Sequence, residues 1–187
     1  MNIKISDIAN LPSRFGNFKV KAFKEGCKEH LVVFKEPLEE IPIVRVHSEC
    51  LTGDALGSLK CDCRDQLEFS LNTIEKEGGM VIYLRQEGRN IGLLNKINAY
   101  ALQDKGLNTV EANHQLGFSA DERTYEMVTT ILHHCNIKKI KLLTNNPTKI
   151  NSIEDIDIVE RLPIIIDANV YNEAYLKVKK DQMGHLI

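Results

Sequence analysis

The sequence has no tryptophan, and aromatic residues make up only 6% of its 187 residues. Proteins that bind single-stranded nucleic acid usually stack bases on aromatic side chains and hold the backbone in a basic groove. The formal net charge of −2 gives no bulk attraction to nucleic acid either. We therefore expect no nucleic-acid partner.

Long apolar runs are also absent. No stretch approaches the roughly 20 apolar residues that cross a bilayer, and residues 1–6 lead directly into mixed polar sequence rather than into a signal peptide. The odd cysteine count, five, argues against a disulfide framework in such a chain. These absences predict a cytoplasmic protein without a membrane partner, and its length suits a single domain over residues 1–187.

Three of those cysteines lie within fourteen residues, at Cys50, Cys61 and Cys63. Structural zinc sites are closed by four protein ligands, whereas catalytic sites use three and leave the fourth position to water. Zinc lowers the pKa of a bound water to about 7, which supplies hydroxide at neutral pH. Three clustered cysteines therefore predict a zinc site that serves a hydrolysis.

Two alternatives to a catalytic zinc site remain open from spacing alone. His47 could complete a closed, structural site with the three thiols, and the thiols could instead be buried without any metal. The single residue between Cys61 and Cys63 is also a tighter spacing than zinc ribbons use. Cys27 and Cys135 stand apart from the cluster and are expected to be packing thiols.

The spacing of apolar residues predicts strands and helices in alternation. Strands are expected at residues 18–23, 30–34, 43–47, 80–84, 140–144, 156–159 and 162–166. Helices are expected at residues 66–76, 91–105, 124–134 and 172–182, with Pro147 in a further first helical turn. This alternation predicts an α/β fold, a layered mixed sheet flanked by helices, with functional residues in the loops that follow strands.

A polar loop over residues 85–92 follows one predicted strand and precedes a predicted helix. Backbone N–H groups at a helix N-terminus, glycines and arginines suit a polyphosphate, so we expect Arg85, Arg89 and Lys149 to meet one. The glycine spacing matches neither a Walker A loop nor a dinucleotide-binding fingerprint, and a solvated turn with surface arginines is the alternative. With zinc nearby, the interpretation is a phosphorylated substrate that is attacked at a polarised carbon.

Four longer motifs cover most of the chain. In order, they are RVHSECLTGD at residues 45–54 with CDC at 61–63, RQEGRNIGL at 85–93, EANHQLG at 111–117 with DER at 121–123, and LLTNNP at 142–147. Together they resemble the GTP cyclohydrolase II family, which opens riboflavin biosynthesis. The N-terminal part of the chain contributes little to this resemblance.

That resemblance implies an enzyme that hydrolyses GTP. In the family, carbon 8 of the guanine ring leaves as formate, pyrophosphate is released, and a diaminopyrimidinone ribosylamino phosphate is formed. The resemblance further implies one zinc ion (Zn2+) per chain, magnesium (Mg2+) bound with GTP, and a homodimer.

The resemblance also assigns residues to these roles. Zinc is assigned to Cys50, Cys61 and Cys63. Contacts with GTP are assigned to Arg45, Val46, His47, Ser48, Glu49, Gln66, Glu87, Gly88, Arg89, Thr109, Thr144 and Lys149.

Three catalytic positions follow from the same resemblance: Asp121 as the proposed proton acceptor, Arg123 as the proposed nucleophile on the α-phosphorus, and Tyr100 as an active-site tyrosine. A guanidinium is cationic and lacks a free lone pair, so Arg123 could instead clamp the phosphoryl group. Tyr100 could donate a hydrogen bond or a proton while the ring opens. His114 is an alternative phosphate acceptor, although a structural histidine is the favoured interpretation.

Two features bear on how far the family's chemistry extends to this sequence. Arg64 follows Cys63 where many members of the family have glycine, and this adds a cation beside the expected metal. A related enzyme could stop at a formylated pyrimidine, but the family members that stop there lack a tyrosine at the position of Tyr100. A structural-zinc module that binds nucleic acid is disfavoured by the charge and the aromatic content.

Overall fold

In the computed structural model, which describes residues 2–186, eight strands form one mixed β-sheet. The strands are β1 (Ile3–Ile5), β2 (Ala9–Ser13), β3 (Gly16–Glu25), β4 (Lys28–Lys35), β5 (Ile43–Ser48), β6 (Gly79–Leu84), β7 (Lys139–Leu143) and β8 (Asp157–Leu162). Their order across the sheet is β1-β3-β4-β6-β5-β7-β8, and β2 pairs with the first half of β3. The predicted α/β fold with a layered mixed sheet is confirmed.

The sheet has an antiparallel half and a parallel half. Strands β1, β2, β3, β4 and β6 pair antiparallel, whereas β6, β5, β7 and β8 run parallel to one another. Parallel strands place their carboxyl ends at one edge of the sheet, where open α/β folds bind their ligands. The loops that follow β5, β6 and β7 therefore meet at one edge.

Seven helices are found in the described residues: α1 (Leu51–Asp54), α2 (Cys63–Glu77), α3 (Gly92–Gln103), α4 (Thr109–Gln115), α5 (Glu126–His134), α6 (Pro147–Asn151) and α7 (Glu173–Met183). The four helices expected from apolar spacing correspond to α2, α3, α5 and α7, with their ends shifted by a few residues. Helix α6 begins at Pro147, as a proline in a first helical turn should. None of these helices combines the length and the apolar character that crossing a membrane requires.

Helix α4 was not predicted, because its short sequence has little apolar periodicity. Its signal is a capping box instead. The Asn108 side chain accepts from the backbone N–H of Glu111, and the Glu111 carboxylate accepts from the backbone N–H of Asn108. Such reciprocal bonds satisfy the free donors of a helix N-terminus.

The strand expected at residues 162–166 is wrong beyond Leu162, where β8 ends. Pro163 follows and has no N–H to donate to a neighbouring strand. The backbone N–H and carbonyl of Ile164 bond to the side chain of Asn145 instead. An amide side chain therefore takes the place of a strand partner at this point.

The core lies on both faces of the sheet, because successive side chains of a strand point to opposite sides. On one face Ile82 and Leu142 belong to a large cluster with Ile131 of α5. On the other face Val81 packs in a smaller cluster with Ile74 of α2. Helices therefore cover the sheet from both sides and leave its carboxyl-end loops free to form a site.

Candidate active site

The three clustered cysteines meet beyond the carboxyl end of β5. Their sulfur atoms all lie within 4.8 Å of one another, and the Sγ atoms of Cys50 and Cys61 are 3.7 Å apart. None of the three forms a disulfide. Gly53 of α1 packs against them so closely that a Cβ atom there would stand 2.9 Å from Cys61 Sγ. The absence of a side chain at Gly53 therefore leaves the room that the three cysteines need to converge.

These thiols fit a metal ion with three protein ligands. Within residues 2–186, the side chains able to share one ion are the three cysteines, with no fourth member. His47 does not close the group, since its Nε2 atom lies 3.1 Å from Asp54 Oδ1. Asp54 also accepts from the Tyr83 hydroxyl and from the backbone N–H of Cys50. The arrangement could hold a thiophilic ion such as zinc and leave one coordination position to the cavity.

A buried lysine that the sequence analysis missed supports the thiols. The Nζ atom of Lys96 lies 3.1 Å from Cys50 Sγ and 2.7 Å from Glu87 Oε1. Hydrogen bonds from Cys61 and Cys63 lower the pKa of the Cys50 thiol, and the Lys96 ammonium lowers it further against the effect of burial. Metals bind the thiolate form, so these contacts prepare Cys50 as a ligand.

Tyr100 lies one helical turn beyond Lys96 on α3. Its hydroxyl is 3.3 Å from Thr52 Oγ1, and the ammonium groups of Lys60 and Lys96 lie 5.0 and 5.8 Å from the centre of its ring. Burial raises the pKa of Tyr100. The hydroxyl therefore keeps its proton near neutral pH and can donate it or share it beside the thiols.

The expected site residues surround one cavity of about 510 Å³. The three cysteines, Tyr100 and Arg123 line it together with Arg45, His47, Ser48, Glu49, Gln66, Glu87, Gly88, Arg89, Thr109, Thr144 and Lys149. Two expected residues stand behind the lining. The Val46 carbonyl accepts from Lys149 Nζ at 2.7 Å, and the Asp121 carboxylate accepts from Arg123 Nε at 2.8 Å. The fold thus gathers these residues, while their individual roles remain predictions.

Two side chains considered for phosphate contacts lie elsewhere. Arg85 forms an ion pair of 2.9 Å with Glu49 and lines a smaller cavity of about 300 Å³. Arg89 lines the main cavity and Arg85 does not, so the expectation that Arg85 joins Arg89 there is wrong. The loop between them turns, with positive φ angles of 63° at Gly88 and 60° at Arg89. His114 is exposed on α4 and does not line the main cavity.

Buried cations repel one another around the main cavity. Arg45 donates to the side-chain oxygen of Gln66 at 2.5 Å, and burial lowers its pKa to about 10. The pKa of Lys149 lies well below its usual range, first because of burial and then because of the charges of Arg45 and Arg123. The cavity wall therefore carries strongly interacting positive charges.

Some of these cations also keep free hydrogen-bond donors. Arg45 Nε and Arg89 Nη2 are buried without a partner in the described part of the chain, while Arg89 Nη1 donates to the Ala120 carbonyl at 2.9 Å. Although burial opposes it, the ion pair with Asp121 raises the pKa of Arg123 and keeps it cationic. Buried donors without partners cost free energy, and phosphate oxygens are the acceptors that arginine suits best.

The C-terminal part of the chain adds residues that no motif marked. Tyr175 and Lys179 of α7 line the cavity, and so does His185, which follows the helix. Burial and then the charge of Lys179 lower the pKa of His185 to about 3. The sequence shows only an ordinary helical pattern here, because the contact with the motif residues is made in three dimensions alone.

Three thiols that open onto a cation-lined cavity define a candidate metal site for an anionic substrate. The chain belongs to the GTP cyclohydrolase II family, whose family model matches residues 4–163. A GTP cyclohydrolase-2 of Campylobacter hominis is 68% identical over 187 residues, which cover 100% of this chain and 97% of that protein.

Further relatives also match over nearly their whole length. A GTP cyclohydrolase-2 of Helicobacter hepaticus is 57% identical over 194 aligned residues, covering 100% of both chains, and one of Helicobacter pylori is 55% identical over 189, covering 99% and 98%. A solved structure of a two-domain 3,4-dihydroxy-2-butanone 4-phosphate synthase from A. baumannii covers 88% of this chain and 40% of its own. Its identity is 20% and its TM-score 0.48.

Proposed function

We propose that this protein hydrolyses GTP to the diaminopyrimidinone ribosylamino phosphate, with release of formate and pyrophosphate, as the first step of riboflavin biosynthesis. The observation that carries the proposal is the presence of a three-thiol group and of mutually repelling buried cations on the wall of one cavity. The thiols suit a metal-assisted hydrolysis and the cations suit a triphosphate. Membership of the family and the names of its relatives support the same reaction.

The cavity has a size that suits the substrate. Small-molecule sites usually measure about 300–1,000 Å³, and this one measures about 510 Å³. The free donors of Arg45 and Arg89 and the buried ammonium of Lys149 would meet phosphate oxygens. Magnesium would accompany the triphosphate and offset its charge, since it prefers phosphate and water ligands.

The thiol end of the cavity would serve the guanine ring. Cys50, Cys61 and Cys63 would hold zinc, which would supply an activated water at carbon 8. Lys96 holds the Cys50 sulfur through a hydrogen bond of 3.1 Å. The Tyr100 hydroxyl, which burial keeps protonated, would donate to the ring as it opens. This tyrosine favours the complete reaction over one that stops at the formylated pyrimidine.

Arg123 would act on the α-phosphate as a clamp. Its ion pair with Asp121 raises its pKa, so its guanidinium stays charged and offers N–H donors rather than a lone pair. Asp121 would hold the guanidinium in place through Nε at 2.8 Å. Stabilising the charge of a transferring phosphoryl group is an established use of arginine, and it needs no arginine nucleophile.

The proposal also includes a homodimer built from single domains over residues 1–187. Exposed apolar side chains support an interface: Leu56 is 76% exposed and Leu94 is 75% exposed. Isolated exposed apolar residues are common on monomers, so sedimentation of the purified protein is the deciding measurement. A single species at twice the mass of the chain supports the dimer, and a monomer at the assay concentration refutes it.

The reaction is tested by incubating the purified protein with GTP, magnesium and zinc. Formate, pyrophosphate and the pyrimidine products are quantified in parallel. Equal amounts of formate, pyrophosphate and the diaminopyrimidine support the complete reaction. A formylated pyrimidine without formate would instead establish the partial reaction, and unchanged GTP would refute both.

A further inference from the structure

The last helix, α7, covers part of the cavity. It lies beyond residues 4–163, to which the family model aligns. Tyr175, Val178, Lys179 and Met183 of this helix line the cavity. A ligand that fills the cavity therefore meets α7 as well as the loops that carry the motifs.

Two contacts fix α7 over the site. The Lys179 ammonium lies 2.6 Å from Asp62 Oδ1, and the two side chains are only 11% and 5% exposed. After the helix, the backbone N–H of Leu186 donates to the Asn145 carbonyl at 2.9 Å. Asp62 stands between the thiols of Cys61 and Cys63 in the sequence, so the first contact ties α7 to the thiol cluster.

The charges around Lys179 do not balance. The positive charges of Arg45, Arg123 and Lys179 lower the pKa of Lys149, so these four basic side chains share one interior region. Asp62 pairs with Lys179 and Asp121 pairs with Arg123, whereas Arg45 and Lys149 have no carboxylate partner in the described residues. Buried charges without counter-ions are costly, and an anionic ligand in the cavity would relieve the imbalance.

The Lys179 ammonium still has donors to offer such a ligand. A lysine ammonium carries three N–H donors. One of them serves Asp62, and the ammonium lies 4.5 Å from the centre of the Tyr175 ring. Lys179 also belongs to the cavity lining, where a further N–H could meet a ligand. The neighbouring Lys180 on the same helix is exposed to solvent instead.

We propose that Lys179 is a further substrate-binding residue, which donates to a phosphate oxygen of the nucleotide while Asp62 holds its ammonium over the cavity. The proposal rests on the proposed function, because it takes the ligand of this cavity to be a nucleoside triphosphate. Helix α7 would then contact the substrate directly through Lys179, in addition to covering the cavity. The competing explanation is a latch, in which the ion pair with Asp62 only docks the helix.

The test compares wild-type protein with Lys179→Gln, Lys179→Arg and the matched control Lys180→Gln. Each zinc-loaded protein is titrated by calorimetry with inorganic pyrophosphate and, separately, with guanosine as a ligand without phosphate. Loss of a charge-assisted hydrogen bond should weaken pyrophosphate binding about tenfold or more in Lys179→Gln. Guanosine binding should not change in that variant, and Lys179→Arg and Lys180→Gln should bind pyrophosphate as the wild type does.

Each result has a distinct meaning. Wild-type protein that fails to bind pyrophosphate would overturn the proposed function of the cavity. Wild-type binding with an equal affinity in Lys179→Gln would overturn the role of Lys179 alone. Equal loss of pyrophosphate and guanosine would establish the latch and refute the phosphate contact.

A second variant decides the question if Lys179→Gln does not fold. Asp62→Asn breaks the ion pair but keeps the lysine charge, and its zinc content is measured beside its affinity for pyrophosphate. Weaker pyrophosphate binding with unchanged guanosine binding is expected in the zinc-loaded variant, because Asp62 no longer holds the ammonium over the cavity. An equal loss of affinity for both ligands would support the latch, and unchanged affinity for both would likewise contradict the proposal.

Discussion

Arg85 and Arg89 are four residues apart in one loop, yet only Arg89 lines the main cavity. Arg85 forms an ion pair with Glu49, and about half of its side chain is exposed to solvent. The chain thus contains a matched pair of arginines, one inside the site and one outside it. Substituting each arginine in turn therefore distinguishes a specific contact with the substrate from a general effect of positive charge.

Arg89→Ala should weaken the binding of GTP by about 1.5–3 kcal/mol, the usual loss for a hydrogen bond to a charged group. Arg85→Ala should change it little, because exposed ion pairs contribute about 0–1 kcal/mol. Steady-state kinetics with GTP measure both variants. Equal effects of the two substitutions would show that the loop contributes only a diffuse positive field.

The Tyr100 hydroxyl lies beside the thiol cluster, 3.3 Å from Thr52 Oγ1. Tyr100→Phe should slow formate release about a hundredfold or more, as expected for a lost proton donor, and should affect pyrophosphate release less. Parallel quantitation of both products gives the answer, and proportional loss of both would mean that the two ends of the cavity act as one unit.

At the scale of elements, long periodic segments were predictable and short ones were not. The spacing of Leu67, Leu71 and Ile74 predicts α2, because its apolar face packs on the sheet. Helix α4 escapes the same reasoning, since its seven residues are ordered by the capping box of Asn108 and Glu111 rather than by an apolar face. Propensity and periodicity do not report such local bonds.

Asn108→Ala should therefore destabilise the protein by about 1 kcal/mol, the usual cost of losing an N-cap side chain. The Asn108 side chain accepts from the backbone N–H groups of Val110 and Glu111, which would lose their partner. Asn72→Ala on the exposed surface of α2 is the control and should not destabilise, because alanine has the higher helix propensity. Urea unfolding measures both, and equal stability of Asn108→Ala and wild type would contradict the capping role.

At the scale of the whole molecule, the motifs contain most of the residues that line the cavity but do not indicate their mutual geometry. The resemblance named the three cysteines, and the fold shows them converging beside Lys96, which no motif indicated. The contributions of Lys179 and His185 were equally unpredictable, because they depend on how α7 packs against loops that are far away in sequence. Long-range contacts of this kind leave no local pattern.

The buried histidines make the stability of the whole chain depend on pH. Burial lowers the pKa of His30 and of His47, and it lowers that of His185 to about 3. Below about pH 6.5 the unfolded chain then binds more protons than the folded chain, so the free energy of unfolding falls as the pH drops. In zinc-free protein, urea unfolding between about pH 7.5 and pH 5 should show this decline.

His185→Gln should make that decline less steep, whereas His114→Gln, at an exposed position, should not alter it. The comparison of the three slopes is the test. A stability that rises on acidification, or a slope that His185→Gln leaves unchanged, would refute the assignment of the burial effect to His185.

The most direct test of the account is to measure zinc, formate and pyrophosphate together in wild-type protein, Cys61→Ser and Cys27→Ser. Cys27 is exposed and does not belong to the thiol cluster, so its variant controls for the loss of a thiol as such. We expect about one zinc per chain and formate release in wild type and in Cys27→Ser. Cys61→Ser should stay folded and lose zinc and formate release together. Formate release by zinc-free Cys61→Ser at the wild-type rate, or an active wild-type preparation without zinc, would contradict the account.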